Sequence, residues 1–180
     1  MRQASVRPTG VERRFGADEL IVTKTDLKGV ITYANDVFLR VSEFHEDEVI
    51  GKPHNVIRHP MMPRTLFKLL WDTIQARREI FAYAMNMASN GDHYWVLAHA
   101  TPSFDGAGRV VGYHSSRRLP TPSAVATVKQ IYDRIRTAEQ AATSTSAAIA
   151  AGTEALNREL AAHGQSYDEY FWSITPGSTR

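Results

Sequence analysis

The first regular pattern in the chain is alternation. Residues 20–25 (LIVTKT) and 30–33 (VITY) are β-branched and aliphatic, and Asp26-Leu27-Lys28-Gly29 between them supplies a turn, so the pair predicts a hairpin. From Asn35 the period lengthens from two to about 3.6. Asn35 or Asp36 is placed to cap a short helix carrying Val37, Phe38, Val41 and Phe44, and residues 46–50 predict another helical turn stopped at Gly51. Residues 54–62, bounded by Pro53, Pro60 and Pro63, read as irregular. Pro63 suits the first turn of a longer helix over 64–76, whose apolar stripe is Leu66, Phe67, Leu70, Trp71 and Ile74.

Alternation then returns. Strands are predicted over 79–89, 93–103 and 109–118, with Asn90-Gly91 as a type I′ hairpin turn and Asp105-Gly106-Ala107-Gly108 as the next reversal. The order of elements implies an α+β fold, a five-stranded antiparallel sheet with short helices on one face. A C-terminal helical extension follows. Its first helix, over 122–143, carries a stripe of Val125, Val128, Ile131, Tyr132 and Ile135, and an alanine- and threonine-rich tract leads through Leu156 and Leu160 to Gly164. The aromatic residues Tyr167, Tyr170, Phe171 and Trp172 show little periodicity and are expected to dock on the body. The expected division is a flexible N-terminal segment (1–18), a core domain (19–119), a helical extension (120–164) and a tail (165–180).

Strand parity predicts a hollow. With Asn86 pointing inward, so do Ile80, Ala82, Ala84 and Ala88, and the facing strand offers Tyr94, Val96, Ala98 and Ala100. Most of these side chains are small, so a helix laid across them leaves a void that a ligand fills. The competing reading is a helix packed unusually close. The opposite face, Phe81, Tyr83, Met85 and Met87 with Trp95, Leu97 and His99, is too apolar for water and needs a cover. The 122–143 helix, the N-terminal segment or a second subunit would serve, and a homodimer through this face is the expectation.

Composition narrows the chemistry. Hydrophobic residues make up 43% and charged residues 22%, in the globular range. There is no cysteine, which excludes disulfides, thiolate metal sites and thiol nucleophiles. A net charge of +2, with Arg2, Arg7, Arg13 and Arg14 gathered at the N-terminus, is no nucleic-acid footprint. No apolar run approaches the length of about 18 residues that crosses a bilayer, so no membrane insertion is expected and a cytoplasmic location is the default. Seven histidines invite a metal or haem reading. They show no zinc spacing, so no metal site is expected, and only His59 or His114 stands as a haem ligand. No phosphate loop, nucleophile elbow or paired-carboxylate motif is present, so no enzymatic activity is expected.

Three blocks carry a resemblance: VITYANDVFLRV at 30–41, GKPHNVIRHPMMP at 51–63 and NGDHYWV at 90–96. Together they resemble the PAS domain of the bacterial aerotaxis receptor family, over about residues 19–119. The resemblance implies a PAS fold and a non-covalent flavin, FAD, that reports redox state or oxygen to a downstream signalling protein. FMN and haem b are the alternatives for the pocket. An interaction module with a pocket empty or otherwise filled is the alternative for function. Matched by position, Asn35, Arg58, His59, Met62, Trp71, Asn86, Tyr94 and Ala98 are the implied cofactor contacts. The family has an aspartate where Met61 stands and a tryptophan where Ile80 stands. Without cysteine, no cysteinyl–flavin photochemistry is open to this chain.

Overall fold

The computed structural model describes residues 6–177. Arg2, with the rest of 1–5, and the last three residues of the 165–180 tail lie outside the described residues. The strands are β1 (Ile21–Thr25), β2 (Ile31–Ala34), β3 (Ile80–Met87), β4 (His93–Phe104) and β5 (Val110–Arg118). They form one sheet in the order β2-β1-β5-β4-β3, every pair antiparallel, as the alternation predicts. Between β2 and β3 lie α1 (Asp36–Ser42), α2 (Glu46–Val49), a 3₁₀ turn (His54–Ile57) within the segment expected to be irregular, and α3 (Arg64–Gln75). Their apolar faces cover one side of the sheet, where Phe38, Val41, Val49 and Ile57 pack on Ile21, Ile31, Tyr94 and Val96.

The three tight hairpins turn in one way. Gly29, Gly91 and Gly108 have φ of 76°, 95° and 75°. Each donates its N–H to the residue three before it: Asp26 at 3.1 Å, Ala88 at 3.0 Å and Asp105 at 3.0 Å. The type I′ turn expected at Asn90-Gly91 is therefore not formed, because only Gly91 takes the left-handed conformation. Closing the turn with one left-handed glycine also matches the strand twist and leaves Asn90 unstrained. The freed Asn90 side chain accepts from Asp92 N–H at 2.9 Å.

The N-terminal segment is docked from Thr9 onward. β5 pairs with β4 only from Leu97, which leaves an open edge at the start of β4. Thr9 N–H donates to Gly91 at 2.9 Å, His93 N–H to Val11 at 2.9 Å and Arg13 N–H to His93 at 2.7 Å. Phe15 is buried in the inner core.

Beyond β5, the extension folds back as α4 (Pro122–Gln140), α5 (Thr145–His163) and α6 (Tyr167–Ile174). The chain's own helices cover the outer face that was expected to join two subunits. Tyr83, Met85 and Trp95 share one cluster with Val128, Ile131, Tyr132 and Ile135 of α4 and Tyr170 and Phe171 of α6. Two tyrosines pin this cover to β3: Tyr132 Oη donates to Tyr83 O at 2.6 Å and Tyr167 Oη to Phe81 O at 2.9 Å. The apolar stripe of α4 fits the sheet, so intramolecular burial takes the place of the dimer contact. The cluster continues around the β3 edge to Met62 and Leu66, and α5 packs on α3.

Candidate ligand cavity

Between α3 and the inner face of the sheet lies a cavity of about 320 Å³. Its floor comes from inward positions of four strands: Thr23 and Thr25 of β1, Ala84 and Asn86 of β3, Ala98 and Ala100 of β4, and Tyr113, Ser115 and Arg117 of β5. Phe67, Leu70, Trp71 and Ile74 of α3 form the roof, with Lys28, Gly29 and the 53–58 stretch closing the remaining side. The hollow exists for the reason parity suggested. The three alanines of the floor are too short to fill the space beneath α3. Ala82, Ala88 and Val96 are buried but outside the lining.

The electrostatics of the lining are one-sided. Lys28, Arg58 and Arg117 line the cavity and no carboxylate does. Arg117 is 2% exposed. One of its terminal nitrogens donates to Thr23 Oγ1 and, at 2.6 Å, to His54 Nε2. A guanidinium only donates, so Nε2 is the acceptor and His54 carries its proton on Nδ1. Burial, reinforced by Arg117, pushes His54 down to about 3, and burial lowers Arg117 to about 10. At neutral pH the pair is therefore a neutral imidazole and a charged guanidinium. The other terminal nitrogen of Arg117 and the Thr25 hydroxyl have no hydrogen-bond partner among the described residues.

Four of the eight implied contacts converge here: Arg58, Trp71, Asn86 and Ala98. Arg58 lies over the Phe67 ring at 4.3 Å and donates to Met62 O at 3.3 Å, and its backbone pairs with Asn86. Trp71 packs edge-on against Tyr113, with ring centroids 5.5 Å apart. The Asn86 amide is 6% exposed. It sits beside the Tyr94 phenol, which burial raises to about 12 while Arg117 and Asn86 oppose the rise.

The other four do not line the cavity. Asn35 is the α1 cap: its Oδ1 accepts from Phe38 N–H and Val22 N–H, both at 3.0 Å, and its Nδ2 donates to Leu20 O at 2.8 Å. These bonds occupy its oxygen and one of its two N–H donors with local backbone, away from the cavity. The buried His59 accepts from Met61 N–H at 3.1 Å and packs edge-on to His93. Met62 belongs to the outer cluster, its sulfur accepting from Met85 N–H at 3.2 Å. Tyr94 packs with Phe38 and Val96 in the inner core beside the cavity. The two departures from the family pattern also miss the cavity. Met61 is exposed, and Ile80 packs with Ile74, Ala100 and Tyr113.

Sequence reasoning missed Arg117, His54, Thr23 and Thr25. A signal for Arg117 was present: it shares parity with Tyr113 and Ser115, which puts a lone arginine on the inner face of β5.

A five-stranded antiparallel sheet, short helices on one face and a hollow between them define the class. The PAS fold family model matches residues 21–115, more than half of the chain, and the chain belongs to that family. Among characterised proteins it is 39% identical to the aerotaxis receptor of Escherichia coli (strain K12) over 115 residues, 64% of this chain and 22% of the receptor. It is 25% identical to the nitrogen fixation regulatory protein of Klebsiella pneumoniae over 97 residues, 54% of this chain and 20% of that protein. The chain thus spans about a fifth of the length of these two relatives. Two solved light-oxygen-voltage domains share the fold. One, studied with a flavin analogue, gives a TM-score of 0.54 at 18% identity, covering 63% of this chain and 86% of that one. The dark structure of the blue-light photoreceptor aureochrome1 domain gives 0.53 at 19% identity, covering 63% and 83%.

Proposed function

We propose that this chain is a sensor domain that holds a non-covalent flavin, FAD, in the cavity under α3 and reports redox state or oxygen to a partner protein. The observation that carries the reading is the cavity's lining: apolar above, small below, with three cations and no carboxylate. Its volume falls at the lower end of the range of about 300–1,000 Å³ common for ligand pockets, which suits a flat ring system with its tail at the mouth. The Asn86 amide offers both a donor and an acceptor, matching the alternating edge of a flavin's pyrimidine ring. Lys28 and Asn55, both exposed at the mouth, and the partly exposed Arg58 are the groups that would meet phosphates. Bound there, the flavin supplies reversible electron uptake, and the protein's part is to bind it, exclude water and answer its change in charge.

FAD is favoured over FMN by the likeness to the aerotaxis receptor. Of the two histidines expected as haem ligands, His59 does not line the cavity and His114 does, while His54 is held by Arg117, so a haem reading would rest on His114 alone. The reading is of a sensor and not of an enzyme. Residues 19–119 serve as the sensing unit, acting in the cytoplasm, and the helices after Thr121 carry its state to the downstream partner. No helix of the described residues is long and apolar enough to cross a membrane. A homodimer would use a surface other than the covered outer face.

Heat or acid release from the purified protein, followed by chromatography, is expected to yield FAD. Release of haem, or of FMN alone, would replace the cofactor assignment.

A further inference from the structure

We infer that Arg117 is a buried counter-charge that binds the reduced, anionic flavin ring more tightly than the oxidised neutral ring, and so raises the midpoint potential of the bound cofactor. This deepens the flavin reading and rests on it.

The charges around Arg117 do not balance. Arg117 is 2% exposed, and nothing within its hydrogen-bonding reach is negative. Thr23 is a neutral hydroxyl and His54 a neutral imidazole, and both are served by the same guanidinium nitrogen. Its other terminal nitrogen has no hydrogen-bond partner among the described residues. Burial of a lone cation is costly and is normally offset by a carboxylate. None lines this cavity, and the residues level with Arg117 on the flanking strands are Ile21 and Ala98. Of the rings beside it, Phe38, 5.9 Å away, is apolar, and the Tyr94 phenol, which also interacts with Arg117, is kept neutral by burial. The site is therefore built around a positive charge whose partner must come from the ligand.

Two-electron reduction supplies that partner. Oxidised isoalloxazine takes up two electrons and one proton and becomes a monoanion, its negative charge spread over the pyrimidine side of the ring. In the experiment the electrons come from dithionite and the proton from solvent. Arg117 stays protonated throughout. A charge pair formed away from water is stronger than one in solution, so the anionic form gains more from Arg117 than the neutral form does. Arg58 and Lys28 are partly exposed or exposed, and their contribution is screened.

The test is spectroelectrochemical titration of the flavin-loaded full chain, alongside free flavin, Arg117→Gln and Arg117→Lys. The parent is expected to bind reduced flavin more tightly than oxidised flavin, which places its potential above that of free flavin. Arg117→Gln should reduce the ratio of the two affinities about tenfold or more, a fall of about 30 mV for a two-electron couple, and Arg117→Lys should restore most of it. A parent that binds the oxidised form as tightly as the reduced one, or tighter, overturns the inference, and needs no variant to fold. An unchanged potential in a folded, loaded Arg117→Gln protein also overturns it. Failure of the parent to bind either form would instead overturn the flavin reading, and this inference with it.

Discussion

Half-buried at the cavity wall, His54 links binding chemistry to stability. Its folded value of about 3 lies below the ordinary 6.5, with burial as the main cause and Arg117 second. The unfolded chain therefore takes up the proton first as pH falls. The stability that neutral His54 lends is fully present above about pH 6.5, and is lost progressively as the pH drops toward 3. At pH 5 the loss is about 2 kcal/mol. Denaturant unfolding at pH 7 and pH 5 should show that slope, and His54→Gln should flatten it; equal slopes in both proteins would refute the assignment. At this scale, four of the eight contacts expected from the sequence fall in the cavity lining. Strand parity pointed to Asn86 and Ala98, and the likeness of the 51–63 block to a known family pointed to Arg58. Asn35 misled because the same amide serves equally well as a helix cap and as a ligand contact. Arg117 was hidden because two arginines ending a strand look like a solvated terminus.

Among the elements, the joint between α3 and the extension is the least expected feature. Pro63 occupies the cap position of α3 and has no side-chain acceptor for the first-turn N–H groups. Glu139 of α4 takes that role: its Oε1 accepts from Thr65 N–H and Thr65 Oγ1, both at 2.8 Å, and its Oε2 from Arg64 N–H at 3.0 Å. A carboxylate at a helix N-terminus is favourable for its charge as well as its hydrogen bonds. On the other side of the joint, Gly152 lets α5 approach closely, since a Cβ there would lie 2.0 Å from Thr65 Oγ1. α3, which roofs the cavity, is thereby tied at its first turn to both long C-terminal helices. Glu139→Ala should cost about 1–3 kcal/mol in denaturant unfolding, and no loss of stability would show that the joint carries no weight. The helices themselves were readable from their periodicity, but the joint was not. Glu139 is one acid on a helix whose polar face looked solvated, and its partner lies 74 residues away. The helix α6 did carry a local sign. Ser166 and Glu169 form a capping box, which the scattered aromatic residues obscured.

Across the whole molecule, one sheet serves two cores. The inner face holds the cavity, and the outer face is sealed by α4 and α6. The five-stranded antiparallel sheet followed from the alternating segments, though not its strand order, and the need to cover the outer face followed from its apolar residues. The choice between a second subunit and the chain's own helices did not, because a stripe such as Val128, Ile131 and Ile135 fits either. The difference is measurable at Leu97, which packs partly buried in the outer cluster. Leu97→Glu should lower the unfolding midpoint without changing the sedimenting mass; dissociation of a parent dimer by this variant would restore the subunit interface.

The central claim is that a flavin occupies the hollow between α3 and the alanine-lined floor, and Ala98 tests it most directly. Ala98 sits on β4 in register with Ala82 and with Arg117, so a longer side chain enters the space the ring requires. Flavin-stripped parent protein titrated with FAD, followed by quenching of flavin fluorescence, should saturate at one FAD per chain. Ala98→Leu should remain folded by circular dichroism and bind none. A folded Ala98→Leu protein that takes up FAD like the parent, or a parent that takes up no FAD at all, would contradict the account.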